Sequence, residues 1–232
     1  YRKRRFRDLS LHTKLVLTIT ASLLIGGSIL VFAFEYTNPG TLGELPMHGK
    51  VLASMFQSTT TRTAGFNTID QGALTLPSKI LSMILMFIGG SSGSTAGGIK
   101  TVTFGVLMLT AFAVMRGKND VTAFSRRIAT RAILNALALA MTAGVLILVC
   151  VLVMSPMQSQ PLVDVMYEAV SAFGTVGVSA NLTTELVPLS RMIIIALMFF
   201  GRVGILTISL GLLMKGSKKS KIRYPEDRVL IG

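Results

Sequence analysis

Long apolar runs alternate with shorter polar segments along this chain, and their lengths limit what each can form. Leu11 to Phe34 is apolar with no charge after Lys14, and Arg131 to Met154 has none after Arg131. A helix needs about 20 apolar residues to cross a bilayer, so both runs predict membrane-spanning helices. Leu189 to Met214 predicts a third, although it carries Arg191 near its start and Arg202 near its middle. Pro77 to Met115 is too long for one span and too interrupted for two. An apolar run (80–88) is followed by a glycine-serine tract (Gly89 to Gly98) and a second apolar run (102–115). This predicts a single crossing broken in the middle.

Between the spans lie two segments of matching internal order. Each opens on a proline, Pro46 or Pro161, followed by a short helix-like stretch, Met47 to Thr60 or Leu162 to Ala172. Proline is well suited to a helix start because its missing N–H has no partner there. Each stretch runs into a small polar strip, 61–67 or 173–179. Such a helix is too short to span. It can dip into the membrane and return if the returning backbone lies against protein or water.

Composition agrees with lipid as the main solvent. The mean hydropathy is +0.65, and charged residues make up 14% where a soluble domain carries about 25%. The net charge is +13, but 17 of the 23 Lys and Arg residues fall in three blocks, 2–14, 116–131 and 215–228. That clustering argues against a nucleic-acid-binding face. Cytoplasmic loops carry the excess of Lys and Arg, which puts all three blocks inside and the intervening segments, with Glu35, Glu44, Asp70, Asp164, Glu168 and Glu185, outside. Four crossings then close the count with both ends cytoplasmic, as in a plasma membrane. The single cysteine, Cys150, and two histidines, His12 and His48, exclude a disulfide framework and leave little for metal binding or catalysis.

The two halves align at one offset of 112 residues. It places Leu85 to Gly89 on Leu197 to Gly201 and Thr63 to Phe66 on Thr175 to Val178. A match between apolar helices alone would be weak; the loop match makes this a repeat. The predicted organisation is an all-α membrane protein of two parallel units, each helix, pore loop, helix. The first, 1–116, has the broken second helix; the second, 117–232, ends in a basic cytoplasmic tail.

The strips carry the chemistry. A desolvated K⁺ needs oxygens in place of its water shell, and a row of backbone carbonyls supplies them. Thr63-Ala64-Gly65-Phe66 and Thr175-Val176-Gly177-Val178 fit such a selectivity filter. Gly65 and Gly177 permit positive φ, and the threonines add hydroxyls. Alone, a T-x-G-x match is an ordinary turn. Its weight comes from recurring between two crossings, each time after a short helix.

Gly89, Gly90, Ser91, Ser92, Gly93, Ser94, Thr95, Ala96, Gly97 and Gly98 cannot hold a helix unaided. Packing motifs space small residues four apart, whereas here glycines cluster with serines, so the tract reads as a loop. A nucleotide-binding loop is ruled out, because Ile99 breaks the spacing before Lys100-Thr101 and no strand precedes it. Arg202 lies about 18 Å of helix from the basic end at Lys215, too far to snorkel, so it should face a cavity or a partner.

These residues resemble the Ktr, Trk and HKT superfamily of potassium transporters, most closely its KtrB-type membrane subunits, over the whole chain. The resemblance rests on the two T-x-G-x strips, the tract from Gly89 to Lys100, and Arg202. It implies a four-repeat pore of which this chain supplies the third and fourth repeats, with the first two preceding Tyr1. It further implies that the tract gates the pore below the filter with Lys100 and Arg202 beside it. It also implies a homodimer and a cytosolic KtrA-like ring of nucleotide-binding subunits, so that ATP or ADP belongs to that partner. No cofactor is expected in this chain beyond the transported K⁺, and Na⁺ is left open as a coupling or activating ion. The main alternative, a cation-coupled symporter with broken helices, predicts inverted repeats. An intramembrane enzyme would need catalytic acids or bases within the spans, and a purely structural bundle leaves both strips unexplained.

Overall fold

The computed structural model describes residues 6–91, 93–118 and 120–203. Its helices are α1 (Leu11–Glu35), α2 (Met47–Thr60), α3 (Leu76–Phe87), α4 (Thr101–Met115), α5 (Thr130–Met154), α6 (Leu162–Gly174) and α7 (Pro188–Val203). Local chemistry sets most of the starts. The Ser10 hydroxyl accepts from the Thr13 amide at 3.2 Å and caps α1. Pro46 and Pro161 occupy the cap positions of α2 and α6, and Pro77 lies in the first turn of α3.

At 25 residues each, α1 and α5 are about 37 Å long, enough to cross a hydrocarbon core of about 30 Å. Their outward faces are apolar: Leu17, Ile25 and Ile29 on α1, and Leu134, Met141, Leu148 and Leu152 on α5 are all exposed. By contrast, α2 and α6 are short, at 14 and 13 residues. α2 lies against α1, while α6 packs on α3, α5 and α7. From Tyr167 to Gly174, α6 is continuously buried. Tyr167, Val170, Phe173 and Leu197 anchor the main core there. α2 is buried on one face only, with Met47, Leu52 and Met55 left exposed.

The basic connection between α4 and α5 contains a feature absent from the sequence reading, an antiparallel hairpin of β1 (Thr122–Ala123) and β2 (Arg126–Arg127). Its turn residues, Phe124 and Ser125, have φ of 49° and 62°, the paired positive values of a type I′ turn. Val121 and Ile128 bury its base against α4 and α5, and Phe124 packs edge-on against Phe6.

Candidate functional site

The strips follow directly from the short helices. α2 ends at Thr60, whose hydroxyl donates to the Phe66 carbonyl at 2.6 Å and accepts from the Phe66 amide at 2.9 Å. In the second half of the chain the Ser171 hydroxyl donates to the Val178 carbonyl at 2.6 Å. Phe66 and Val178 are counterparts at the 112-residue offset, so each strip is clasped to its helix at the same place.

Within the strips, positive φ recurs at matching positions: Thr63 (74°) and Gly65 (80°), then Thr175 (51°) and Gly177 (93°). The glycines were foreseen; left-handed threonines were not, because such a backbone is strained for a side chain branched at Cβ. The strips meet backbone to backbone. A Cβ added to Gly65 would lie 2.4 Å from the Val176 carbonyl oxygen and 3.8 Å from the Gly177 Cα. Val176 and Val178 are buried, whereas Ala64, Phe66 and Gly177 are exposed. A cavity of about 540 Å³ borders the second strip, lined by Thr175, Gly177, Ser179, Glu168 and Arg202 among others.

The tract between α3 and α4 folds back on itself. Ile88 and Ile99 pair as an isolated parallel bridge, with the Ile99 amide donating to Phe87 at 3.1 Å and the Thr101 amide to Gly90 at 3.2 Å. Beyond this neck the loop is held by the Ser94 hydroxyl, which donates to the Ser91 carbonyl at 2.7 Å. Lys100 donates to the Ala96 carbonyl and Arg202 to the Thr95 carbonyl. The Gly97 amide donates to the Thr175 hydroxyl at 3.0 Å. Loop, α7 arginine and second strip are therefore in mutual contact. Ser92 lies outside the described residues, as do the end of the fourth predicted span after Val203 and the basic tail.

Several buried or half-buried polar residues escaped the sequence reading. Arg62, next to Thr63, donates to the Gly89 carbonyl at 3.3 Å and links the first strip to the start of the loop. Gln57 on α2 pairs with Gln71 beyond the strip through two hydrogen bonds of 2.7 and 3.0 Å, and Tyr167 on α6 donates to Gln71 at 2.9 Å. In the second half Glu168 accepts from Ser179 and Thr183. Lys79 at the start of α3 forms an ion pair with Asp164 in the first turn of α6 at 2.6 Å. The available signal was weak. Thr183 is Gln71 displaced by the repeat offset, but Glu168 is one position out of register with Gln57, so comparing the halves does not expose the pairs.

Known proteins share sequence and fold with this chain. The TrkH family model, a cation transport protein, matches residues 4–221. The chain is 41% identical over its whole length to Ktr system potassium uptake protein B of Bacillus subtilis, covering 52% of that protein. It is 40% identical over 98% of its length to the potassium/sodium uptake protein NtpJ of Enterococcus hirae, covering 51% of it. The crystal structure of the potassium transporter TrkH from Vibrio parahaemolyticus superposes with a TM-score of 0.64 at 18% identity, over 87% of this chain and 44% of that one. The matching family is one of membrane transporters, not of enzymes. The chain belongs to the TrkH family of cation transport proteins. It spans about half the length of the curated relatives it matches.

Proposed function

We propose that this chain forms part of the wall of a K⁺-conducting pore in the plasma membrane, with residues 63–66 and 175–178 contributing two sides of its selectivity filter. The observation that carries the reading is the approach of Gly65 to the Val176 carbonyl, together with positive φ at alternate residues of both strips. Residues of opposite hand in alternation turn successive carbonyls to one side, the arrangement a dehydrated cation requires. The printed functions of the relatives, potassium uptake and potassium/sodium uptake, support K⁺ as the transported ion and keep Na⁺ as a second candidate.

In this reading the halves 1–116 and 117–232 are parallel helix–pore-loop–helix units, and the remaining length of the full protein supplies two more to close the pore. The tract Gly89 to Gly98, with Lys100 and Arg202, is the gate: it sits against Thr175 and places fixed positive charge below the filter, which raises the barrier to a cation. Both ends are cytoplasmic, and the basic segments face a cytosolic nucleotide-binding ring that drives the loop of a homodimer. The test is K⁺ uptake, with and without competing Na⁺, by Gly65 and Gly177 variants in cells lacking other K⁺ systems. Loss of K⁺ preference supports the filter; retained affinity and preference in both variants reject it.

A further inference from the structure

We propose that the buried cluster Gln57, Gln71 and Tyr167 positions the two strips relative to each other and so sets the discrimination between K⁺ and Na⁺; this rests on the filter reading above. The three side chains have 0%, 1% and 0% of their surface exposed, and none belongs to either strip. Their places in the chain are telling. Gln57 lies on the helix leading into the first strip, Gln71 lies on the segment leaving it, and Tyr167 lies on the helix leading into the second. One cluster thus ties together both ends of one strip and the stem of the other.

The hydrogen bonding leaves Gln71 a single arrangement. Its Oε1 accepts from Gln57 Nε2 at 2.7 Å and from Tyr167 Oη at 2.9 Å. Its Nε2 donates to Gln57 Oε1 at 3.0 Å and to the Ile69 carbonyl at 3.0 Å. Both protons and both acceptor positions of the amide are used. Apolar side chains of the same volume would fill this space without the penalty of burying amides. What polar groups add is fixed geometry, because a hydrogen bond holds its length and direction while apolar packing yields. Selectivity depends on the spacing and stiffness of the carbonyls, and the Tyr167–Gln71 bond joins the helix leading into the second strip to the segment leaving the first. The Glu168 carboxylate, with Ser179 and Thr183, braces the second strip against its own helix. Between the strips' surroundings, the Tyr167–Gln71 bond is the buried crossing; an exposed one runs from Asn181 Nδ2 to Asp70 Oδ1 at 3.0 Å.

The test uses the full-length transporter in cells lacking other K⁺ uptake, at matched membrane levels. KM and maximal rate for K⁺ are measured, together with inhibition by Na⁺. Tyr167→Phe removes one oxygen and leaves the packing. It should lower K⁺ over Na⁺ preference roughly three- to tenfold, as expected for loss of one buried hydrogen bond, and by more than it lowers maximal rate. Gln71→Met should do at least as much. The double variant should be no worse than Gln71→Met, because the shared bond is already lost. Unchanged preference in Tyr167→Phe, a fall in rate alone, or effects that multiply in the double variant would overturn the proposal. Gly177→Ser run in parallel separates the two claims. If it alters preference while Tyr167→Phe does not, the filter stands and the brace falls; if it too is silent, both fall.

Discussion

The Gly97 amide donates to the Thr175 hydroxyl at 3.0 Å, so the loop between α3 and α4 touches the second strip directly rather than through a shared helix. A Cβ on Gly97 would lie 2.5 Å from the Thr175 hydroxyl and 2.8 Å from the Gly174 carbonyl. Gly97→Ala must therefore push the loop away from the strip. If the loop is the gate, K⁺ uptake by Gly97→Ala should rise when the cytosolic activator is absent. Uptake at or below that of the parent, at equal membrane levels, would count against it.

Arg202 donates to the Thr95 carbonyl on the same loop. Arg202→Gln removes the charge beside the loop and weakens the tether, and deleting residues within 90–97 removes the loop itself. Both should raise basal K⁺ flux, most clearly without the activating partner. Reduced flux in both variants, with normal folding and insertion, would make the tract a packing element.

Much of this arrangement was legible in sequence. The runs 11–34 and 131–154 are long and apolar because lipid is their solvent, and α1 and α5 lie on them. Helices lie over the two proline-started stretches, with α6 extending to Gly174. Gly65 and Gly177 were marked by the need for positive φ, which glycine meets without strain. What escaped reading depends on tertiary contact. The hairpin turn at Phe124 and Ser125 uses left-handed residues that no Gly or Asn announces. Gln57, Gln71 and Tyr167 are far apart in the chain, and nothing local distinguishes them from solvent-facing polar residues. Thr63 and Thr175 hold strained backbones that only the surrounding structure enforces.

The Lys79–Asp164 ion pair joins α3 to α6 with both side chains mostly buried, 12% and 19% exposed. Asp164→Asn leaves the lysine without its counter-charge and should destabilise the protein by about 1–3 kcal/mol. The double replacement Lys79→Met with Asp164→Leu should cost less than the single change, since both charges then disappear together. Thermal unfolding of the detergent-solubilised protein measures both. A double variant less stable than Asp164→Asn would show that the pair contributes net attraction beyond what it costs to bury.

Single cysteines test the topology. Lys118 lies beside the basic hairpin, and Asn38 and Thr184 lie in the segments assigned to the outside. A membrane-impermeant thiol reagent added to intact cells should label cysteines at 38 and 184, and label one at 118 only after the membrane is opened. External labelling at 118 would overturn the four-crossing count.

The central claim is that the facing strips are the ion filter, and paired alanine replacements test it most directly. At Gly65 a Cβ meets both a positive φ of 80° and a carbonyl oxygen 2.4 Å away; at Gly177 it meets a φ of 93° but only the Gly65 Cα at 3.8 Å. Left-handed backbone costs a side-chain-bearing residue about 1–2 kcal/mol, and the clash adds to this at Gly65 alone. Measured as K⁺ uptake in competition with Na⁺, preference should weaken in both variants and more in Gly65→Ala than in Gly177→Ala. Parental K⁺ affinity and preference in both variants would contradict the account.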